Sequence, residues 1–206
     1  VEWLPLIENT GRRLGLHAAT LTNDPSAPRL IAGVGGSIAN VLNFEDFQIS
    51  DRASFQFGTG DFTVSGWVYP TTVSYGADGQ GTIISKNFTG YEILIYESVL
   101  YAYIAGASNL ITGSAIAANA WYHITLRRSG GNVALFRNAV LEGTLSAGGS
   151  VSQDGTATII GFRPGGSSVQ RLAGRVQRFG WWSRGLATDE IAYLYNGGVG
   201  RDYPFV

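Results

Sequence analysis

Nine residues, Phe62-Thr63-Val64-Ser65-Gly66-Trp67-Val68-Tyr69-Pro70, alternate in polarity with a period of two. That period turns successive side chains to opposite sides of an extended chain and does not suit a helix. It puts Phe62, Val64 and Val68 on one face and Thr63, Ser65, Trp67 and Tyr69 on the other, and Pro70 ends the strand. The pattern recurs. Val41, Leu42 and Phe44 lead into Phe47 and Ile49, and Thr82–Ser85, Ala157–Gly161 and Arg175–Trp182 also read as strands. With Glu97-Ser98 as a turn, Tyr91, Ile93 and Ile95 share one face with Leu100, Ala102 and Ile104. The opposite face then carries Glu92, Leu94, Tyr96, Val99, Tyr101 and Tyr103, and a slip of one residue exchanges the two. Trp121–Arg127 and Val133–Phe136 form a hairpin across Ser129-Gly130-Gly131-Asn132.

One segment has helical spacing. Ile191, Leu194 and Tyr195 make a single stripe in Thr188–Tyr195, with Thr188 as the expected N-cap and Gly197-Gly198 as the stop. An early strand is expected around Trp3–Ile7, followed by loop. The expected fold is therefore all-β: a two-sheet antiparallel jelly-roll sandwich with one short C-terminal helix near 188–195. No repeat or linker divides the chain, so residues 1–206 are expected to be one domain. It has an irregular N-terminal segment (1–38), a core (39–196) and a tail (197–206). With 206 residues, 45% hydrophobic and 29 of them Gly, the chain can bury a core between short strands and tight turns.

Composition narrows the chemistry. With no Cys, disulfides and thiol catalysis are excluded, and zinc is disfavoured with only two His. No apolar run approaches 18 residues, so membrane insertion is not expected. The chain starts at Val1 and has no Met, which points to processing and loss of any leader. A net charge of −1 argues against nucleic acid.

Six segments in order resemble the laminin-G-like domain of the concanavalin A-like lectin/glucanase superfamily. They are Phe62–Pro70, Ile84-Ser85-Lys86, Trp121-Tyr122-His123-Ile124, Leu135–Ala139, Gly174–Phe179 and Trp182–Ile191, the last closing with Leu194-Tyr195. The resemblance implies a jelly roll and, as a class tendency, carbohydrate or protein binding. The chain departs from the family in two places. Ala139 stands where Gly is usual, at a turn that often needs a positive φ. Gln177 and Arg178 replace an acidic pair, which weakens a family-style cation site there.

Glycosidase chemistry needs two positioned carboxyl groups, and no Glu-x-Asp spacing presents them on one strand face. Glu45-Asp46 and Asp189-Glu190 are adjacent and would diverge. His123 reads as a sheet histidine and His17 lies in a loop without an evident partner, so no catalytic residue is assigned. Calcium is the one cofactor that remains open, through oxygen ligands from Asp46 or Asp78, with Asp51 and Asp61 as further turn carboxylates. Asn87-Phe88-Thr89 matches a glycosylation sequon.

Two surfaces could bind. The first is the outward set Tyr96, Tyr101 and Tyr103 with Glu92 and Leu94; it is equally explained by the strand preference of Tyr or by a covering loop or subunit. The second is the late arginine set, Arg163, Arg171, Arg175, Arg178 and Arg184. It could hold an acidic glycan or carboxylate-bearing partner, or pair internally with the acidic first half of the chain. Trp181 and Trp182 alternate faces, one facing the core and the other accessible. The expected function is a non-catalytic surface binding module, lectin-like or adhesive, with a glycan or protein partner. It would be extracellular or on a cell or virion surface. The alternatives are a self-assembling decoration or appendage subunit of a virion or cell-surface particle and, more remotely, a glycoside hydrolase.

Overall fold

A computed structural model describes residues 2–4, 20–22, 30–33, 38–43, 46–76, 79–87, 89–106 and 108–201. Its strands are β1 (Glu2–Leu4), β2 (Thr20–Thr22), β3 (Leu30–Ala32), β4 (Ile38–Asn43), β5 (Asp46–Ile49), β6 (Phe62–Pro70), β7 (Gly81–Ser85) and β8 (Tyr91–Tyr96). They continue with β9 (Val99–Ile104), β10 (Leu110–Ala115), β11 (Tyr122–Ser129), β12 (Asn132–Arg137), β13 (Val140–Ser146), β14 (Thr158–Ile160) and β15 (Ala173–Trp182). The helix α1 (Thr188–Tyr195) follows.

The strands form two antiparallel sheets. One runs β13-β12-β11-β6-β15-β4-β3, with β1 also paired to β15, and the other runs β10-β9-β8-β7-β14-β5-β2. We call them the first and second sheet. Phe62, Val64, Val68, Ile124, Leu126 and Val176 of the first meet Phe47, Ile84, Tyr91, Ile93, Ile95 and Leu100 of the second in one buried core. The two sheets thus turn their outer faces in opposite directions. Gly66 has a packing role: a Cβ there would lie 2.6 Å from the Phe179 ring.

The hairpin turns follow the residues that form them. Glu97 and Ser98 adopt φ of 47° and 65°, and Gly130 and Gly131 adopt 57° and 77°. A positive φ at both central residues matches the twist of the strands on either side. Asn138 and Ala139 do the same at 52° and 63°, so Ala139 takes the glycine-type conformation without being Gly.

The outer face of the first sheet carries a second, smaller core. Ile191 and Leu194 of α1 and Leu186 cover Ala134, Phe136 and Trp182. Trp181 enters the main core, so both tryptophans are buried. This corrects the expectation that one was accessible: the helix roofs the face to which Trp182 points. Helix α1 has the expected bounds, but its N-cap is Ala187, not Thr188. Glu190 Oε2 accepts the Ala187 backbone N–H at 2.8 Å. Asn196 ends the helix in the left-handed region at φ 49°, before the glycines.

The N-terminal segment read as irregular contributes β1, β2 and β3, each three residues long and paired to β15, β5 and β4. Three residues are too few to show a period. Residues 5–7 of the expected early strand lie outside the described residues, as do His17, Asp78 and Phe88 of the sequon. Among the described residues no helix is long and apolar enough to cross a membrane.

Candidate functional site

Strands β8 and β9 place the tyrosines. Their register pairs Tyr91 with Ile104, Ile93 with Ala102 and Ile95 with Leu100, and all six are buried in the core. The alternate residues therefore face outward on the second sheet, where Glu92 pairs with Tyr103 and Leu94 with Tyr101. Leu110, opposite Tyr103 on β10, and Gln80, just before β7, complete the surroundings. Gln80, Leu94, Tyr96, Tyr101, Tyr103 and Leu110 line a depression of about 300 Å³. The Tyr96 and Tyr101 rings meet at 6.4 Å, tilted by 60°. Among the described residues the hydroxyls of Tyr101 and Tyr103 have no hydrogen-bond partner. Half-buried rings with free hydroxyls offer an apolar plate and a polar handle together.

Beside this aromatic wall lies a buried polar group. Glu92, expected to flank the tyrosines on the surface, is fully buried, because Arg163 arrives from the loop after β14 and covers it. Arg163 donates from Nη2 to Oε1 at 2.6 Å and from Nε to Oε2 at 2.9 Å. Ser85 Oγ donates to Oε2 at 2.7 Å and Gln80 Nε2 to Oε1 at 2.9 Å. Gln80 also reaches Thr82 Oγ1 at 3.0 Å. A fully hydrogen-bonded carboxylate of this kind fixes its donors, so one end of the depression is rigid. Gln80 and Leu110 were not singled out in the sequence. Leu110 becomes legible once β10 is placed in register against Tyr103; the approach of Gln80 to Glu92 carries no sequence signal.

The late arginines separate. Arg163 joins the tyrosine face and Arg171 ion-pairs with Asp46, both reaching carboxylates of the first half of the chain. Arg184 pairs with Glu190 at 2.6 Å. Arg178 is nearly buried on the β15 bulge and donates to the Val199 carbonyl at 2.9 Å. Arg175 lies on the outer face of the first sheet, opposite Tyr69, and does not meet the tyrosines of the second. The carboxylate of Asp46, a calcium candidate, is buried and paired with the Arg171 cation. Among the described residues no group of three or more His, Cys, Asp and Glu gathers to hold a metal ion.

His123 and Ser65 approach as a hydroxyl–imidazole pair, Oγ to Nε2 at 2.8 Å. Both are buried, the imidazole stacks on Tyr195 and meets the Trp67 ring tilted by 45°, and Ser65 Oγ also contacts Thr125 Oγ1 at 2.7 Å. Burial holds His123 down to about 3, so it is neutral, and Ser65 is only 2% exposed. Among the described carboxyl groups that shift, Asp51, Glu142 and Glu190 all move downward, opposite to what a protonated general acid needs.

A second depression, about 460 Å³, lies beside α1 between Trp182, Leu186, Tyr193 and Leu194. It is the larger, but its charged rim is spent internally. Glu190 takes both Arg184 nitrogens at 2.6 and 2.7 Å and the Ala187 N–H as well. In the tyrosine depression the Tyr101 and Tyr103 hydroxyls have no partner among the described residues, and this makes it the better candidate for binding.

Comparison with known proteins agrees with this architecture. No curated protein sequence matches the chain. Among solved structures, the binding domain of a paraclostridial mosquitocidal protein superposes with a TM-score of 0.75 at 17% identity, covering 94% of this chain and 51% of that one. Domain 4 of an extracellular arabinanase from Geobacillus stearothermophilus, in complex with arabinotriose, gives 0.68 at 16% identity, covering 93% and 95%. The binding domain of botulinum neurotoxin serotype C1 gives 0.69 at 14% identity, covering 95% and 51%. This chain thus spans about half of either toxin binding domain and nearly all of the arabinanase domain. Residues 44–192 match the laminin G model of the Concanavalin A-like lectin/glucanases superfamily. With that match across most of its length, and with two antiparallel sheets closing over one core, the chain belongs to this superfamily as a laminin-G-like β-sandwich domain.

Proposed function

We propose that this domain is a non-catalytic glycan-binding module that takes a sugar on the tyrosine face of its second sheet. The observation that carries the reading is the depression at Tyr96, Tyr101 and Tyr103, where the Tyr101 and Tyr103 hydroxyls have no partner among the described residues. Apolar faces of a sugar ring stack on phenol rings, and the hydroxyls pair with sugar hydroxyls. The likeness to an arabinanase domain holding arabinotriose supports a carbohydrate ligand and makes that trisaccharide the first probe. The reading places the protein outside the cell or on a cell or virion surface, where glycans are met. It requires no calcium, so binding in a chelator equals binding with added calcium.

The test is a glycan array followed by calorimetric titration with arabinotriose or the array's best ligand. Tyr101→Ala and Tyr103→Ala each weaken binding about tenfold, the worth of one aromatic contact with its hydroxyl. Absence of any ligand on the array, or a ligand indifferent to both substitutions, refutes the reading. A second reading, self-assembly, is favoured by one observation: Val140 and Leu141 on edge strand β13 are 64% and 53% exposed. Light scattering decides it; a monomer at all concentrations removes it.

A further inference from the structure

The first sheet carries a different constellation, away from the tyrosine depression. Helix α1 roofs Trp67 and His123, but the sheet continues past the helix to Tyr69, Trp121 and Arg175, all half-buried. Tyr69 and Arg175 are paired residues on β6 and β15. The Arg175 guanidinium lies over the Tyr69 ring, 4.4 Å from its centroid. Trp121, one residue before β11, meets the same phenol ring at 5.5 Å, tilted by 59°.

Arg175 is distinctive in one respect. Each of the other described arginines donates a hydrogen bond within the chain. Arg52, Arg127, Arg128, Arg178 and Arg201 reach backbone carbonyls. Arg137, Arg163, Arg171 and Arg184 reach carboxylates. Among the described residues Arg175 contacts only the ring beneath it, and its N–H groups have no acceptor there. A guanidinium over an aromatic ring is steadied by the cation–π contact but keeps its N–H fork for a ligand. That fork matches a carboxylate bidentately. The half-exposed indole of Trp121 beside it offers an apolar plate of the kind on which a sugar ring stacks.

We infer that Tyr69, Trp121 and Arg175 form a second binding site, on the opposite side of the sandwich from the tyrosine depression, for a carboxylate-bearing sugar. One pyranose lies against Trp121 and a uronate or sialate carboxylate takes the Arg175 fork. An acidic peptide would satisfy Arg175 but has no use for the indole plate, so the combination favours the sugar. The sole lysine, Lys86, is buried against Asp51 at 2.6 Å, so among the described residues the site provides one cation for one carboxylate, not a polyanion groove.

The probes are tetragalacturonate, its methyl ester and 3′-sialyllactose, each to about 10 mM, a range suited to millimolar sites. A hexaglutamate peptide serves as the competing class. The readout is the indole N–H resonance of Trp121, assigned by its loss in Trp121→Phe. At least one acidic sugar moves this resonance, and Arg175→Gln weakens that binding about tenfold, as loss of a charged hydrogen-bond pair does. Arg175→Lys retains part of it, and removing the charge by esterification of tetragalacturonate matches Arg175→Gln. Tyr101→Ala leaves it unchanged, so failure here and failure of the tyrosine face are separable. Thermal melts check that each variant is folded, and wild-type protein with the ester decides the question without any substitution. The proposal is overturned if neither acidic sugar moves the resonance, if the ester binds as well as the acid, or if hexaglutamate binds as tightly as the sugar.

Discussion

Replacing Glu92 with Gln tests the rigid polar end of the depression. The Glu92 carboxylate is fully buried and accepts hydrogen bonds from Arg163, Ser85 and Gln80. The substitution keeps the shape, removes the charge and puts an NH2 group where a donor already points. Breaking one side of a buried pair costs about 3–5 kcal/mol, because the other charge stays desolvated. Arg163 has a side chain 20% exposed and can turn partly to water, so the lower end applies, about 3 kcal/mol. For a domain of this size each kcal/mol moves the melting temperature by about 2–4 °C, and the expected fall is about 6–12 °C. Urea unfolding and calorimetry measure it. The double variant Glu92→Met with Arg163→Met recovers much of the loss, since no orphaned charge remains. A Glu92→Gln protein within about 1 kcal/mol of wild type refutes the assignment of a buried, fully bonded carboxylate. A double variant no more stable than Glu92→Gln refutes the account of the cost.

Three further outcomes are expected. Ala139→Gly stabilises the protein by about 0.5–1 kcal/mol in urea unfolding, because Gly takes the positive φ of 63° without the Cβ penalty. His123, held down to about 3 by burial, is neutral in the fold, while the unfolded chain binds a proton near the ordinary histidine value of about 6.5. Its contribution is present above that value and lost as pH falls, at about 1.4 kcal/mol per pH unit. Unfolding free energies in urea from pH 7 to 5, above the range where Asp51, Glu142 and Glu190 take up protons, show this slope in wild type and a flatter one in His123→Gln. Lys86→Met lowers stability by about 2–3 kcal/mol in the same assay, because Asp51 loses its cation and the Thr156 carbonyl loses a 3.0 Å donor.

The sequence made the strand faces legible wherever alternation and turn residues agreed. The β8–β9 hairpin is the clearest case: Glu97-Ser98 fixed the register, and the register placed Tyr96, Tyr101 and Tyr103 outside. The same alternation put Trp67 and Glu92 outside and left one of Trp181 and Trp182 accessible, yet all four are buried. Alternation separates the two faces of one strand but does not show what lies above each face. The cover over Glu92 is Arg163, 71 residues later in the chain, and the cover over Trp182 is α1 with Leu186. Strand β13 escaped notice because its residues are mostly exposed and show no apolar period, and β10 for a similar reason. The arginine set looked like one patch because its members are close in sequence, and the β15 bulge and the preceding loop send them to different faces.

Both sheets begin with an outer face that could bind, and covering elements decide how much of each stays open. On the first, α1 seals the middle with an apolar contact and leaves the end with Tyr69, Trp121 and Arg175. On the second, the segment after β14 is held down by two ion pairs, Arg163 on Glu92 and Arg171 on Asp46. Buried pairs of this kind add little net stability over apolar contacts of equal size, since desolvation offsets their attraction. They do set position, because a carboxylate with several donors tolerates few arrangements. An apolar roof in their place would also hold the segment down, but with less definition of where its edge falls. Gln80, which donates to the same Glu92 carboxylate as Arg163, lines the tyrosine depression. The Arg163–Glu92 pair therefore fixes Gln80 at the opening more than it strengthens the fold, and under the proposed glycan-binding function substitutions there change ligand selectivity as well as melting temperature.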